Sequence, residues 1–154
     1  MIERITDLND KKQTSHGMYN LIELFSGDLK KIYLKRSGRN VPLQDLSLPD
    51  FFDLVRKIKY RKDHAPIEVI SRPKHILNLQ GLGMDCKKKA LLIASYLKNA
   101  GVPYRLIGSS RKQNGRIHHV FVQGFINNQW ENIDATYKHY KLFEKKQVTN
   151  AEVL

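Results

Sequence analysis

Three side chains in this sequence have the chemistry that acyl transfer needs, and each stands where its neighbours suit it to that work: Cys86, His119 and Asp134. The thiolate is the nucleophilic form of cysteine, and the start of a helix favours it through the dipole and the free backbone amides. Cys86 is placed in that way. Asp85 can cap a helix that the apolar run at residues 90–97 continues, and Lys87, Lys88 and Lys89 put positive charge close by. Three lysines in a first turn oppose the helix dipole, so helix stability alone does not account for them.

His119 opens the stretch His119-Val-Phe-Val122, where strand alternation sends it to the face of Ile117 and Phe121 while His118 goes with Val120 and Val122. Only one of the two histidines can therefore meet the sulfur. Asp134 ends Trp130-Glu-Asn-Ile-Asp134, and a hairpin through Asn127-Asn128 would bring it beside the strand that bears His119. A carboxylate there can accept from one imidazole nitrogen and fix the tautomer that leaves the other ready to take the thiol proton. Each residue also has a plainer role open to it: a small buried hydrophobe, a satisfied strand histidine, a turn aspartate.

The elements that must position these groups follow from local rules. Asn78-Leu-Gln-Gly-Leu-Gly-Met-Asp-Cys86 reads as a tight loop, and the helix it feeds, over residues 87–100, should be buried nearly all round. Cys86, Ala90, Ile93 and Leu97 share one face of it, while Leu91, Leu92 and Tyr96 cover others. Gly101 is placed to end this helix, and Pro103 forbids its continuation. Strands are predicted at residues 103–107, 117–126 and 129–134, with a mobile hairpin loop at residues 108–116 and a two-residue turn of positive φ at Asn127-Asn128. Upstream, Ser47-Leu-Pro-Asp50 is a helix start, and Phe51, Phe52, Val55 and Ile58 carry that helix over residues 48–60. The first 45 residues are the least readable: residues 18–25 suit a strand or a helix, and residues 30–34 a short strand. One central helix feeding an antiparallel sheet is an α+β arrangement.

In their order and context these stretches resemble the transglutaminase-like superfamily of papain-related cysteine enzymes. That family has a glycine-rich turn, Asp-Cys opening a long apolar helix, a Gly-hydrophobic-Pro step, and His leading an apolar and aromatic strand. A strand with Trp near an aliphatic-Asp pair completes it. Here the matching segments are Gly83-Met-Asp-Cys86, Gly101-Val-Pro103, His119-Val-Phe-Val122 and Trp130-Glu-Asn-Ile-Asp-Ala-Thr136. The gaps, 33 residues from 86 to 119 and 15 from 119 to 134, look like those of compact members, and the likeness covers about residues 50–137.

The resemblance implies a papain-like, transglutaminase-like core, with the helix carrying Cys86 packed on an antiparallel sheet carrying His119 and Asp134. It implies Cys86 as nucleophile, His119 as base and Asp134 as the orienting acid; His118 precedes the motif and is not carried over. Met84 stands where the family often has glycine directly before Asp-Cys, and lysines follow the cysteine where acids are common. Neither departure removes a catalytic atom. Gln80 lies six residues before Cys86, a spacing similar to that of the glutamine in papain-like proteases. Its amide is a candidate second donor to an oxyanion, beside the Cys86 backbone N–H, and is worth on the order of 3 kcal/mol of barrier if it acts so. A surface loop glutamine is equally open.

The bulk of the chain fits this. At 154 residues one domain is expected over 1–154, with a core at about 48–137 and an N-terminal elaboration over 1–45. Hydrophobic content of 41% and charged content of 27% are those of a folded globular protein. A lone cysteine excludes an intramolecular disulfide and an all-cysteine zinc site. No apolar run spans a bilayer and no export signal is visible, so a cytoplasmic protein is expected. No stretch bunches acidic ligands at calcium spacing, and a site needing neither metal nor cofactor follows.

Hydrolysis of a peptide or protein substrate is the expected outcome, because small stand-alone members of the family are more often peptidases than cross-linkers. Cross-linking to an amine and a catalytically silent binding module are the alternatives. The net charge of +12 favours polyanionic partners and makes peptidoglycan stem peptides a reasonable substrate. A nucleic-acid-binding domain would also explain the charge, but the aromatics fall on apolar faces and not between basic residues.

Overall fold

The computed structural model describes residues 2–5, 11–62, 68–110, 117–146 and 150–154. Along the chain run β1 (Ile2–Ile5), α1 (Lys11–Phe25), β2 (Tyr33–Arg36), β3 (Arg39–Pro42), α2 (Leu48–Arg56), β4 (Glu68–Ser71) and α3 (Pro73–Asn78). Then come α4 (Cys86–Asn99), β5 (Tyr104–Ser110), β6 (His119–Ile126), β7 (Gln129–Ile133) and β8 (Asn150–Val153). Short 3-10 turns lie at Ser26–Lys30, Leu43–Asp45 and Gln80–Leu82.

The core follows from α4, in which every residue from Cys86 to Leu97 except Lys88 is buried. Leu91, Leu92, Ile93 and Leu97 are removed from solvent, each contributing about 1.5–3 kcal/mol. That much apolar surface needs cover on all sides. The sheet, in the order β7-β6-β5-β8 and antiparallel throughout, lies against one side through β5 and β6. The helices α1 and α2, with the turn at Ser26–Lys30, cover the rest. This is the α+β core expected from the sequence, a central helix that begins with the cysteine and packs on the strands that bring the histidine and aspartate.

Local signals set the ends of these elements. Ser47 caps α2 by accepting from the Asp50 N–H at 3.3 Å, and Asp85 caps α4 by accepting from the Lys88 N–H at 3.0 Å. Asn127 and Asn128 take φ of 53° and 64° between β6 and β7, as a two-residue hairpin turn requires. Three expectations need correction. The second helix stops at Arg56 and not at residue 60, because the chain must extend there to pair with the approach to α4. Tyr60 bridges Met84 in parallel, the Met84 N–H donates to Lys59 O at 2.8 Å, and the Arg61 N–H donates to Met84 O at 2.9 Å.

Strand β5 runs on through Ser110 because β8 pairs with its far half, from Ile107↔Val153 to Ser110↔Asn150. So residues 108–110 of the predicted loop are strand, and residues 111–116 lie outside the described residues. In the N-terminal part, residues 18–25 belong to α1, and the short strand begins at Tyr33, paired with β3 through a tight turn at Ser37-Gly38. Residues 30–32 precede it and are not strand.

Gly83 is the one glycine on which the site's approach depends. Its φ of 88° and ψ of 169° lie in a region that residues with a Cβ scarcely enter. A Cβ there would sit 2.8 Å from Arg61 Cβ and 2.9 Å from Lys59 O. Gly83→Ala is therefore expected to destabilise the fold by about 2 kcal/mol or more, read as a lower urea midpoint with an unchanged slope. A Cβ at Gly81, two residues earlier, would meet nothing within 4 Å, so Gly81→Ala makes the matched control.

Candidate active site

Cys86 is the first residue of α4, buried, with the carboxylate of Asp85 occupied by the helix cap and by Lys87. At such a start the first backbone amides have no acceptor within the helix. They are donors by construction.

His119 opens β6 and Asp134 follows β7 directly. The register of the hairpin explains why a spacing of 15 brings them together. Val122 pairs with Ile133, so one step on Asp134 stands opposite Phe121. His119 is two residues from Phe121 on the same face, a diagonal neighbour within reach of long side chains. His119 Nε2 lies 2.6 Å from Asp134 Oδ2. Cys86 interacts electrostatically with the same imidazole, and with Nε2 taken by Asp134 the ring nitrogen left to serve the sulfur is Nδ1.

The electrostatics follow from burial and partners. Burial alone would push the imidazole down, but the hydrogen bonds to Asp134 and Cys86 and their negative charge outweigh it and hold His119 up at about 9. Burial likewise works against the Asp134 carboxylate, and His119 and Lys146 overcome it, leaving Asp134 well below the usual carboxylate range. Every lone-pair direction of Asp134 is used. Oδ1 accepts from the Thr136 N–H at 3.1 Å and from Thr136 Oγ1 at 2.5 Å, while Oδ2 faces His119 and, at 2.7 Å, Lys146 Nζ.

Sequence reasoning reached Cys86, His119 and Asp134, and the structure brings these three together. Gln80 is exposed at the start of a 3-10 turn, and no hydrogen bond among the described residues joins its side chain to Cys86 or His119. The three lysines after Cys86 also need a different account from the one their charge suggests. Lys87 is buried in an ion pair with Asp85 at 2.5 Å, and Lys89 is buried and donates to the carbonyls of Ile58 and Thr136 at 2.5 and 2.8 Å. They fasten the helix start to its surroundings.

Residues that went unnoticed are Lys146 and an aromatic wall, and for Lys89 it was the anchoring role that was missed. Tyr60 meets Tyr137 at 4.8 Å between ring centres, and Tyr137 meets Tyr140 at 5.1 Å. Burial, followed by the charge of Cys86 and Tyr137, pushes the Tyr60 phenol above its ordinary range, which puts this group within electrostatic reach of the sulfur. The one signal available for Lys89 was a cation on a helix otherwise buried on that side. For Lys146 there was none.

A family model described as the transglutaminase-like superfamily matches residues 50–135, an interval that holds Cys86, His119 and Asp134. No curated protein matches the chain. A crystal structure of a candidate cysteine protease from Cytophaga hutchinsonii is similar over 89% of this chain, at 14% identity and a TM-score of 0.44. This chain spans 50% of the length of that protein.

Proposed function

This chain belongs to the transglutaminase-like superfamily, and we propose that it is a cysteine-dependent acyl-transfer enzyme that hydrolyses peptide or isopeptide bonds through a thioester on Cys86. The observation that carries this is the single imidazole of His119, joined to Asp134 Oδ2 at 2.6 Å and within electrostatic reach of Cys86 at a helix start. A nucleophile, a base and an orienting acid in this order are what acyl transfer through a thioester needs.

His119 takes the proton of Cys86, and the sulfur attacks the carbonyl carbon, moving negative charge to the carbonyl oxygen beside the Cys86 backbone N–H. As the C–N bond breaks its electrons go to nitrogen, which takes the proton from His119 and leaves as an amine or ammonia. Water then adds to the thioester while His119 removes its proton. The C–S bond breaks, the proton returns to sulfur, and the acyl group departs as a carboxylic acid. Because His119 is held at about 9, it keeps the transferred proton at neutral pH, and kcat/KM should fall on the alkaline side near that value.

Alkylation tests this directly. Iodoacetamide near pH 6 should label Cys86 stoichiometrically, and His119→Ala should lose that labelling. Equal resistance of both proteins would remove the proposal. Incubation with a peptide library, with Cys86→Ala as the blank, then identifies the bond. The net charge of +12 supports an anionic matrix such as peptidoglycan as the place where the substrate lies. Cleavage of a denatured protein beside an uncleared zymogram of purified wall would rule out that substrate.

A further inference from the structure

Asp134 is shared. Its Oδ2 takes His119 Nε2 at 2.6 Å and Lys146 Nζ at 2.7 Å, so two groups that both carry positive charge when protonated meet on one oxygen. Lys146 reaches this point from well beyond β7, and its ammonium also lies 3.6 Å from the ring centre of Tyr140 and 5.7 Å from that of Phe121. It is largely buried, with 13% of its side chain exposed. A lysine held by a carboxylate and an aromatic face at once has few other places to go. The acyl-transfer steps assign it no proton to move.

We propose that Lys146 is a positioning residue for the reaction: it locks the Asp134 carboxylate in the rotamer that meets His119, and its charge limits how tightly that carboxylate holds the proton on the imidazole. This rests on the assignment of Cys86, His119 and Asp134 above and extends it to a fourth side chain. The direction follows from charge. An imidazolium beside Asp134 gains from the carboxylate and loses from the ammonium on the same oxygen. Without Lys146 the carboxylate would serve His119 alone, and the proton would be released at higher pH.

The other groups that face the pair do not supply this effect. Cys86, from α4, lies within electrostatic reach of the imidazole, and its thiolate would hold the proton on His119. Lys89, also from α4, feels the field of Asp134 but spends its ammonium on backbone carbonyls. Phe121 stacks with the imidazole at 5.9 Å, and Thr136 binds the other carboxylate oxygen. Among the described residues Lys146 is the one cation in direct contact with Oδ2 besides the histidine.

The test compares wild type, Lys146→Met and Lys146→Arg by NMR titration of the histidine side chains, with the His119 signals assigned from their loss in His119→Gln. In Lys146→Met the His119 midpoint should rise by about one pH unit, and Lys146→Arg, which keeps the charge, should stay within a few tenths of wild type. The alkaline limb of kcat/KM should move in parallel. An unchanged His119 midpoint in Lys146→Met overturns the inference, as does an equal rise in Lys146→Arg. Should Lys146→Met fold poorly, Tyr140→Leu removes the ring behind the ammonium and leaves the charge, and a His119 midpoint displaced toward the Met value is then expected. Because the titration needs no substrate, a protein that hydrolyses nothing would refute the enzyme reading while leaving the role of Lys146 decided by the midpoints.

Discussion

Asp134→Asn is expected to lower kcat/KM by about 10³-fold, in the middle of the range that a positioned acid–base group contributes. The loss comes from a conflict that an amide cannot resolve. Asp134 accepts from four donors: His119 Nε2, Lys146 Nζ, the Thr136 N–H and the Thr136 hydroxyl. Asparagine offers one oxygen and one NH2 group in the same shape. With its oxygen toward His119 and Lys146, the NH2 meets the Thr136 N–H; turned over, the NH2 faces the imidazole and the ammonium. In the second case His119 must accept instead of donate at Nε2, which puts its proton on Nδ1 and disables it as the base for Cys86. Either way the negative charge that holds His119 up at about 9 is gone.

The pH profile separates this from simple damage to the fold. Loss of the carboxylate should bring the His119 midpoint down toward 6.5, its ordinary value, and the alkaline limb of activity should follow it. A variant with near wild-type kcat/KM and an unaltered His119 titration would reduce Asp134 to a bracket for Thr136 and Lys146. Asp134 is 4% exposed, so the substitution should also cost about 1–3 kcal/mol of stability. Activity is therefore to be compared well below the unfolding midpoint.

What the sequence disclosed and what it hid divide along one physical line. The cap at Asp85, the helix it starts and the turn at Asn127-Asn128 are set by interactions between residues a few positions apart, and those rules can be applied without a structure. The meeting of His119 with Asp134 is hardly less local. Once the turn fixes the hairpin register, a period of two decides which side chains share a face. Lys146, β8 and the pairing of Tyr60 with Met84 depend on segments that the chain brings together from far apart, and no propensity at those positions announces a partner. The lysines after Cys86 show the same limit from the other direction. Their charge was visible, but whether it faced the sulfur, an aspartate or a ring of carbonyls was settled only by packing. Gln80 had the right spacing and is exposed at the start of a 3-10 turn, and spacing alone cannot say where its amide points.

Lys89→Met should destabilise the protein by about 3 kcal/mol, because it leaves two closely held buried carbonyls without their donor. Lys89 is 1% exposed and sits one helical turn beyond Cys86. Its ammonium donates to Ile58 O at 2.5 Å and Thr136 O at 2.8 Å, with Arg56 O at 3.5 Å. Those carbonyls belong to the end of α2 and to the segment after β7, so one side chain ties three parts of the chain at the level of the site. Methionine fills nearly the same volume and donates nothing, and each carbonyl left without a donor costs about 1–3 kcal/mol. Part of that is offset, because burial pulls the Lys89 amine down to about 8 against a weaker upward pull from Asp134, which means that the fold bears a cost for holding the charge.

The sign of that shift gives a second readout. A lysine whose folded value lies below its unfolded value of 10.5 penalises the fold while charged, and the penalty lifts as pH rises from about 8 toward 10.5. The stability gap between wild type and Lys89→Met should therefore widen over that interval in paired urea titrations. A gap near zero at pH 7 that stays flat to pH 10 would show that water or neighbouring amides satisfy these carbonyls without Lys89. Thr136 would then need another anchor, and with it the carboxylate of Asp134, which Thr136 holds through its N–H and its hydroxyl. In the proposed mechanism the turn of helix that presents the sulfur would also fix the acid that orients its base, and a stability defect at Lys89 should carry over to the His119–Asp134 pair in Lys89→Met, as a broadened His119 titration.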